Sequence, residues 1–368
     1  MYFSLWVLLL RRVPLFLGMN HILVFLILIV AVIVSKLYKN FYKKYFFYIT
    51  MQYFLALQMN SSSSMGFVLL GFQEIDGLQD YFFTFLFLIY LMTLCGNLLI
   101  ILLVVNTKNL QTPMYFFLTL LSVSDIILST DIVPKMLDVV VNLGTNISFV
   151  GCMAQFYVFS FSECSECLLL TVMSYDRYLA ICYPLNYILI MNSRFCKKII
   201  AAYWMLSISI SFINALSLGL LQFCGTNIIY HFFCDYSPLI KLSCSDTSVV
   251  QLEVTLLSFP VIVFPFMIII FSYIHIINII LKIPSNTGRQ KAFSTCSSHL
   301  TVVSIYYVTL ISMYGFPIKD QSLKIGKVLS LLYTVGTPLI NPIIYSLRNK
   351  DIKNAFRKNY QMFCRIWP

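Results

Sequence analysis

Long apolar runs separated by short polar connections dominate the sequence between residues 81 and 347. Each run exceeds 20 residues, and a helix needs about 20 residues to cross the hydrocarbon core of a bilayer. The seven runs lie at 81–105, 114–139, 152–176, 199–221, 251–281, 294–315 and 327–347. The pattern predicts an all-α membrane protein: a seven-transmembrane helix bundle followed by a short amphipathic helix on the membrane surface at residues 349–358.

Composition places the chain among integral membrane proteins. Hydrophobic residues make up 60% of the sequence and charged residues 11%, whereas apolar residues make up about 45–50% of an ordinary soluble domain. The net charge of +11 does not indicate a nucleic-acid partner, because the basic residues occur in short groups between apolar runs. The sequence contains no Gly-rich phosphate loop, paired zinc-ligand motif or nucleophile elbow, so nothing in it indicates an enzyme.

The distribution of Lys and Arg predicts the orientation in the membrane. Of the 25 basic residues, 14 fall in the connections and tail on the Arg177 side, five fall on the opposite side, and six precede residue 58. Cytoplasmic loops carry the excess of Lys and Arg. We therefore expect an extracellular amino terminus at 59–80, a seven-helix domain at 81–347 and a cytoplasmic tail at 348–368, with Asp176 and Arg177 at the inner water interface.

The cysteines predict disulfides on the outer side only. Of the eleven, four fall on that side: Cys152, Cys224, Cys234 and Cys244. An even number of cysteines in an oxidising compartment predicts two disulfides, and the sequence alone allows three pairings. The other seven cysteines lie in spans or face the cytosol, where we expect reduced thiols.

Four motifs carry a family resemblance. One is Met173-Ser-Tyr-Asp176-Arg177-Tyr178-Leu-Ala-Ile-Cys182, which ends the third run. The others are Pro113-Met-Tyr-Phe-Phe-Leu118, Lys291-Ala-Phe-Ser-Thr-Cys-Ser-Ser-His-Leu300 and Pro338-Leu-Ile-Asn-Pro-Ile-Ile-Tyr-Ser-Leu-Arg-Asn-Lys350. From about residue 60 to residue 360 the chain resembles the olfactory receptors, a branch of the rhodopsin-like G-protein-coupled receptors. It departs from the usual family residues at Gln111, Ser174, Tyr183 and Val308.

The resemblance implies a plasma-membrane receptor that binds a small, mostly apolar odorant in the outer half of the bundle and activates a stimulatory G protein. It also implies that Cys152 pairs with Cys234, which leaves Cys224 for Cys244. The switch residues it implies are Asp176, Arg177, Tyr178, Asn341, Pro342 and Tyr345. The alternatives are a membrane transporter or channel, for which the sequence shows no inverted repeat, and a receptor remnant that does not signal. Basic residues at the inner ends of the spans predict contacts with anionic lipid.

Acidic residues inside the apolar runs are candidate functional residues, because a charge in the bilayer is costly. Asp125 lies midway along the second run, and Glu166 lies 11 residues outward of Arg177, roughly 16 Å along a helix. The resemblance implies that this pair, with Asn97 and Asn341 nearby, holds a sodium ion, and no other cofactor is expected. The alternative is that one or both carboxyl groups are protonated and hydrogen-bonded, which burial also favours.

Candidate ligand contacts lie one to three helical turns inside Cys152 and at comparable depth on the sixth run. On the third run, helical spacing places five residues on neighbouring faces: Phe156, Phe159, Ser160, Glu163 and Cys164. On the sixth run the candidates are Tyr307, Thr309 and Tyr314. An aromatic, mostly apolar pocket with few polar groups suits a small hydrophobic molecule, and the alternative for each residue is helix packing.

Residues 1–58 lie outside the resemblance and contain an apolar run at 15–34 followed by four lysines. A span with these lysines inside conflicts with the orientation of the following helices. We expect an upstream translation or gene-model extension, with an extra membrane helix and a signal sequence as alternatives. Asn60-Ser-Ser62 is a glycosylation sequon on the predicted outer side, and Asn146-Ile-Ser148 is a second sequon closer to the membrane.

Overall fold

The computed structural model describes residues 66–72, 77–314 and 323–366. The predicted extension at 1–58 and the sequon at Asn60 lie outside these residues. In chain order the helices described are α1 (Gln79–Asn106), α2 (Pro113–Asn142), α3 (Phe149–Cys182), α4 (Pro184–Ile190), α5 (Ser193–Gly219), α6 (Tyr236–Leu242), α7 (Ser248–Leu281), α8 (Asn286–Tyr314), α9 (Leu323–Leu331), α10 (Thr337–Arg348) and α11 (Lys350–Ile366). A π-helical turn at Leu332–Gly336 joins α9 to α10.

The predicted seven-helix bundle is confirmed. Within the described residues, seven segments are long and apolar enough to cross a bilayer: α1, α2, α3, α5, α7, α8 and the α9–α10 pair. Helices α4 and α6 occupy connections between spans. Helix α11 follows the last span and is amphipathic, because Ile352 and Ala355 are buried while Lys353 and Lys358 are exposed.

Local chemistry sets several helix ends. Helix α3 begins after Ser148, whose Oγ accepts a hydrogen bond from the backbone N–H of Gly151 at 3.1 Å. Helix α5 begins after Asn192, whose Oδ1 accepts from the N–H of Phe195 at 2.9 Å. Such side chains satisfy N–H groups that have no partner within the helix. Pro184 follows the end of α3 and starts α4, where its missing N–H costs nothing.

Helix α3 is the centre of the bundle. In its most apolar 18-residue stretch 78% of the residues are buried, against 28% in α1 and 17% in α7. It packs against α2, α5, α7 and α8. A side chain of α3 therefore faces other helices on nearly every side, which explains how its polar residues avoid lipid.

A small sheet closes the end of the bundle at which α3 begins, which the sequence predicts to face outward and which is called the outer end here. Strand β1 (Gly66–Leu69) lies between β2 (Thr145–Ser148) and β3 (Ile228–Ile229), antiparallel to the first and parallel to the second. Phe67 and Leu69 alternate inward and are buried. The hydropathy pattern does not reveal this sheet, which ties the segment before α1 to two outer loops.

Two disulfides hold the long connection between α5 and α7. The bonds join Cys152 to Cys234 and Cys224 to Cys244, the pairing that the resemblance implies. Cys152 lies in the first turn of α3, so the first bond fixes the connection to the central helix.

The seventh span contacts α1 through a proline. Pro342 lies inside α10, and a Cβ atom placed on Gly96 of α1 would come within 3.2 Å of the Pro342 ring. The absence of a side chain at Gly96 thus permits α1 and α10 to approach closely where the proline interrupts the backbone hydrogen bonding of α10.

Candidate functional site

Residues His231–Asp235, termed the lid here, cover the outer end of α3. The lid is bonded to α3 through Cys234, whose backbone N–H also donates to Gln155 Oε1 at 3.0 Å. The Phe233 ring lies 5.1 Å, centroid to centroid, from the Phe159 ring of α3. A disulfide, a hydrogen bond and a ring contact therefore hold the lid in place.

Burial determines the charges of the lid. Burial and the nearby Lys327 ammonium lower the pKa of His231 to about 3, whereas burial raises the pKa of Asp235 to about 6. At neutral pH His231 is therefore neutral and Asp235 is ionised. A metal site formed by His231, Cys234 and Asp235 is excluded, because the Cys234 sulfur is in a disulfide.

An aromatic cluster consists of Phe233 of the lid and, beneath it, Phe159, Tyr306 and Tyr333. The Tyr333 ring, in the π-helical turn, lies 6.1 Å from that of Phe159 and 5.9 Å from that of Tyr306. The hydroxyl group of Tyr306 donates to the backbone carbonyl of Glu163 at 3.1 Å. Rings from α3, α8, the seventh span and the lid thus converge on the turn of α3 between residues 159 and 163.

Some predicted ligand residues lie at this cluster. Phe159 belongs to it, and Glu163 is one turn further inward on the same helix. Tyr307 is adjacent to Tyr306, and its hydroxyl oxygen lies 3.1 Å from the Cys167 sulfur. These residues therefore connect α3 to α8.

Other predicted ligand residues lie elsewhere. Phe156 packs in the outer apolar cluster beneath the sheet, and Cys164 packs with Leu168 towards α5 and α7. Ser160 is buried on α3. Tyr314 is the last residue of α8, and its side chain lies outside the described part of the chain.

The two mid-membrane acids share one amide. Asn341 Nδ2 lies 3.1 and 3.2 Å from the two Asp125 oxygens and 3.3 Å from Glu166 Oε1. Asn97, which the resemblance places nearby, instead donates to the carbonyls of Thr93 and Pro338. Two buried carboxyl groups facing one amide require a proton or a cation between them, because two unpaired buried charges are costly.

An acid-base pair closes the inner end of α3. The Arg177 guanidinium donates to Asp176 Oδ2 from Nη2 at 2.6 Å and from Nε at 3.2 Å. The Tyr187 hydroxyl of α4 donates to Asp176 Oδ1 at 2.8 Å; burial and the Asp176 carboxylate raise the pKa of Tyr187. Asp176 has no exposed surface, and the expectation that the pair lies at the inner water interface stays a prediction. Helix α3 continues to Cys182, and α4 covers the pair.

Aromatic contacts surround the neighbouring Tyr178. Its ring meets that of Tyr183 at 5.6 Å and that of His275 at 6.1 Å, both edge-on. Tyr183 is one of the departures from the usual family pattern, and here it packs against a switch residue.

The last predicted switch residue, Tyr345, is fully buried on α10. Its hydroxyl oxygen has no hydrogen-bond partner among the described residues. Beyond it, Tyr115 of α2 donates to Asn349 Oδ1 and to Asp351 Oδ2 at 3.1 and 3.0 Å, which fixes α11 to the bundle.

His299 of α8 joins three spans and was not predicted. Its Nε2 lies 3.1 Å from the Leu170 carbonyl of α3, and its Nδ1 lies 2.7 Å from the Tyr273 hydroxyl of α7. A carbonyl only accepts, so Nε2 carries the proton and Nδ1 accepts from Tyr273. A histidine within an apolar run was the sequence signal available for this contact.

Replacement of His299 by phenylalanine is expected to lower the free energy of unfolding by about 1–3 kcal/mol, because the buried Tyr273 hydroxyl loses its acceptor. Thermal unfolding of the purified protein in lipid nanodiscs measures the loss. His275→Phe is the matched control, since His275 contacts a carbonyl of its own helix, that of Phe271. Equal losses of stability in the two variants would show that the hydrogen bonds from His299 to α3 and α7 contribute nothing to the free energy of unfolding.

Comparison with known proteins places the chain in one family. A family model described as "Olfactory receptor" matches residues 86–364. The chain is 44% identical to Olfactory receptor 11L1 of Homo sapiens, over 83% of this chain and 95% of that protein. It is 42% identical to Olfactory receptor 1E16 of Mus musculus and to Olfactory receptor 1 of Rattus norvegicus, in each case over 84% of this chain and 97% of the relative.

Proposed function

Because the chain belongs to the olfactory receptor family, and is therefore a multi-pass membrane receptor rather than an enzyme, we propose that it binds a small molecule at the aromatic cluster and activates a stimulatory G protein. One observation carries the proposal. The lid covers one end of α3, the buried Asp176–Arg177 pair lies near its other end, and α8 is hydrogen-bonded to α3 between those two points.

In this proposal the lid faces the outside of the plasma membrane and α11 faces the cytosol. The 14 to five distribution of Lys and Arg supports this orientation, and so do the two disulfides, which form in oxidising compartments. Asn60 is then available for glycosylation before the first span.

The contacts between α3 and α8 supply the route of coupling. From the outside inward they are Tyr306 to the Glu163 carbonyl, Tyr307 to Cys167, and His299 to the Leu170 carbonyl. A ligand against the aromatic cluster displaces the outermost of these contacts first. It shifts the population of receptor states only as far as it binds the open arrangement more tightly than the closed one, by a few kcal/mol.

The inner end of the bundle is the proposed G-protein site. Outward movement of the inner end of α8 uncovers Arg177, whose side chain is 13% exposed in this structure. The basic exposed face of α11, with Lys353 and Lys358, contacts anionic lipid beside it. Arg177 then provides a cationic contact at the centre of the opened surface.

A sodium ion at Asp125 and Glu166 is part of the proposal. The donor set fits, because hard cations take carboxylate oxygens as ligands and the two carboxyl groups share a single amide N–H donor, Asn341. A bound cation supplies positive charge that holds α2, α3 and α10 together in the resting state. Asn341 links both acids to the span that contains Pro342.

Sodium is expected to raise the melting temperature of the wild-type protein relative to an equal concentration of N-methylglucamine. At a sodium concentration ten times the Kd, the gain in free energy is about 1.4 kcal/mol. Asp125→Asn is expected to remove the difference between the salts, whereas Glu253→Gln, which changes a buried acid bonded to Ser217, is expected to keep it. Equal melting of the wild-type protein in both salts would rule out the ion.

A screen of odorants in cells that express residues 59–368 with the stimulatory G protein tests the main proposal. We expect cyclic AMP to rise for at least one class of volatile compound. The full chain in vesicles without G protein serves as the counter-test. Ligand-dependent ion flux in those vesicles, with no cyclic AMP response in cells, would favour a channel and contradict the proposal.

A further inference from the structure

Glu163 has an oxygen atom without a partner at the centre of the bundle. Its Oε1 is buried and makes no hydrogen bond within the described residues, although the side chain as a whole keeps accessible surface. Glu163 lies 11 residues from Cys152 and 14 from Arg177, roughly 16 and 21 Å along the helix. Glu163 therefore keeps some accessible surface at that depth on the central helix.

The charged surroundings of Glu163 are acidic. Two other acidic residues lie near it, Asp235 in the lid and Glu166 one turn inward. An ionised Glu163 with acidic neighbours and no counter-charge of its own is unfavourable in a low-dielectric region. A cation that enters from outside would lower this unfavourable free energy.

The aromatic cluster supplies the second element of cation recognition. Phe159 lies one turn outward of Glu163, and its ring contacts those of Phe233 and Tyr333 at 5.1 and 6.1 Å. Tyr306 reaches the backbone of Glu163 through its hydroxyl group. Aromatic faces attract ammonium groups, most strongly where water is excluded.

From the unpartnered carboxylate and the rings around it, we propose that this receptor recognises small organic amines in their protonated form. The ammonium group binds Glu163 Oε1, and the alkyl part packs against Phe159 and Phe233. The inference rests on the proposed ligand site at the aromatic cluster, and it adds the chemical class of the ligand. A neutral carbonyl compound is the competing ligand, and it requires Glu163 to be protonated so that the carboxyl group can donate.

Cyclohexylamine and cyclohexanol are suitable probes, because they share a carbon skeleton and differ in charge. We expect the full-length wild-type chain in lipid nanodiscs to bind cyclohexylamine with a Kd at least tenfold lower than that of cyclohexanol. Glu163→Gln is expected to weaken amine binding at least tenfold and to leave cyclohexanol binding within threefold. Glu253→Gln, which removes the charge of an acid that already has a partner, is expected to preserve the amine preference.

The inference is overturned if wild type binds the two probes equally, prefers the alcohol or fails to bind the amine, and also if Glu163→Gln leaves amine affinity unchanged. Cyclic AMP in cells separates this from the proposed function. Amine binding without cyclic AMP supports the ligand class and contradicts coupling to the stimulatory G protein. A cyclic AMP response that occurs with neutral odorants alone supports the receptor function and contradicts the recognition of amines.

Discussion

Replacement of both Cys152 and Cys234 by alanine is expected to remove nearly all functional receptor from the cell surface. The disulfide closes 82 residues, and a loop of that size restricts the unfolded chain by about 4–5 kcal/mol. Native proteins have a total stability of about 5–15 kcal/mol, so the loss is a large part of it. The same bond places Phe233 against Phe159, so the protein that does fold is expected to lose ligand binding as well. Surface labelling and ligand binding measure the two effects.

The second disulfide provides the comparison. Cys224 and Cys244 close only 20 residues, for which the same relation gives about 3 kcal/mol, and neither contacts the aromatic cluster. Their joint replacement by alanine is expected to reduce surface expression less and to leave ligand affinity unchanged. Cys95→Ala, which changes an exposed free thiol, controls for the loss of a cysteine. Wild-type expression and affinity in the Cys152/Cys234 variant would refute the structural role of the bond.

The spans were predictable because a bilayer imposes one length and one polarity on every segment that crosses it. The ends of the helices were less predictable, since they depend on single contacts. The cost of placing charges in the bilayer is the reason why the sequence predicts Asp176 and Arg177 at the water interface. The structure adds that Arg177 and Tyr187 both bind the Asp176 carboxylate and that α3 continues to Cys182.

The sheet at the outer end could not be predicted from periodicity. Strand β1 has four residues and β3 has two, which is too short for an alternating pattern to emerge. Its register depends on residues far apart in the chain, Gly66 with Ser148 and Val68 with Ile228. Only the folded bundle brings these segments together.

The candidate site was predictable in part for a related reason. Depth along α3 identified Phe159 and Glu163, because helical rise converts sequence distance into depth. Their partners on other elements, Phe233 and Tyr333, depend on helix rotation and on the path of the lid, which periodicity does not encode. His299 was not predicted for the same reason, because its role depends on a carbonyl of α3 and a hydroxyl group of α7.

Arg177→Ala is expected to abolish the cyclic AMP response while ligand affinity stays within threefold of wild type. Arg177 is more than 20 Å along α3 from Glu163, so its loss leaves the outer pocket intact and removes the cationic contact proposed for the G protein. Removal of one partner also leaves the buried Asp176 carboxylate without its guanidinium, at a cost of about 3–5 kcal/mol. Surface expression must therefore be measured beside cyclic AMP, and the response compared per receptor at the surface.

Two variants separate the role of Arg177 from general destabilisation. Asp176→Asn weakens the pair but keeps the guanidinium, so basal cyclic AMP is expected to rise as the population shifts towards the state with Arg177 released. Arg194→Ala removes an exposed charge from the start of α5 and is expected to change neither basal nor ligand-induced signalling. If Arg177→Ala signals as well as Arg194→Ala at equal surface expression, the buried pair is only a structural contact. The coupling route from the lid through α3 and α8 would then have to end elsewhere.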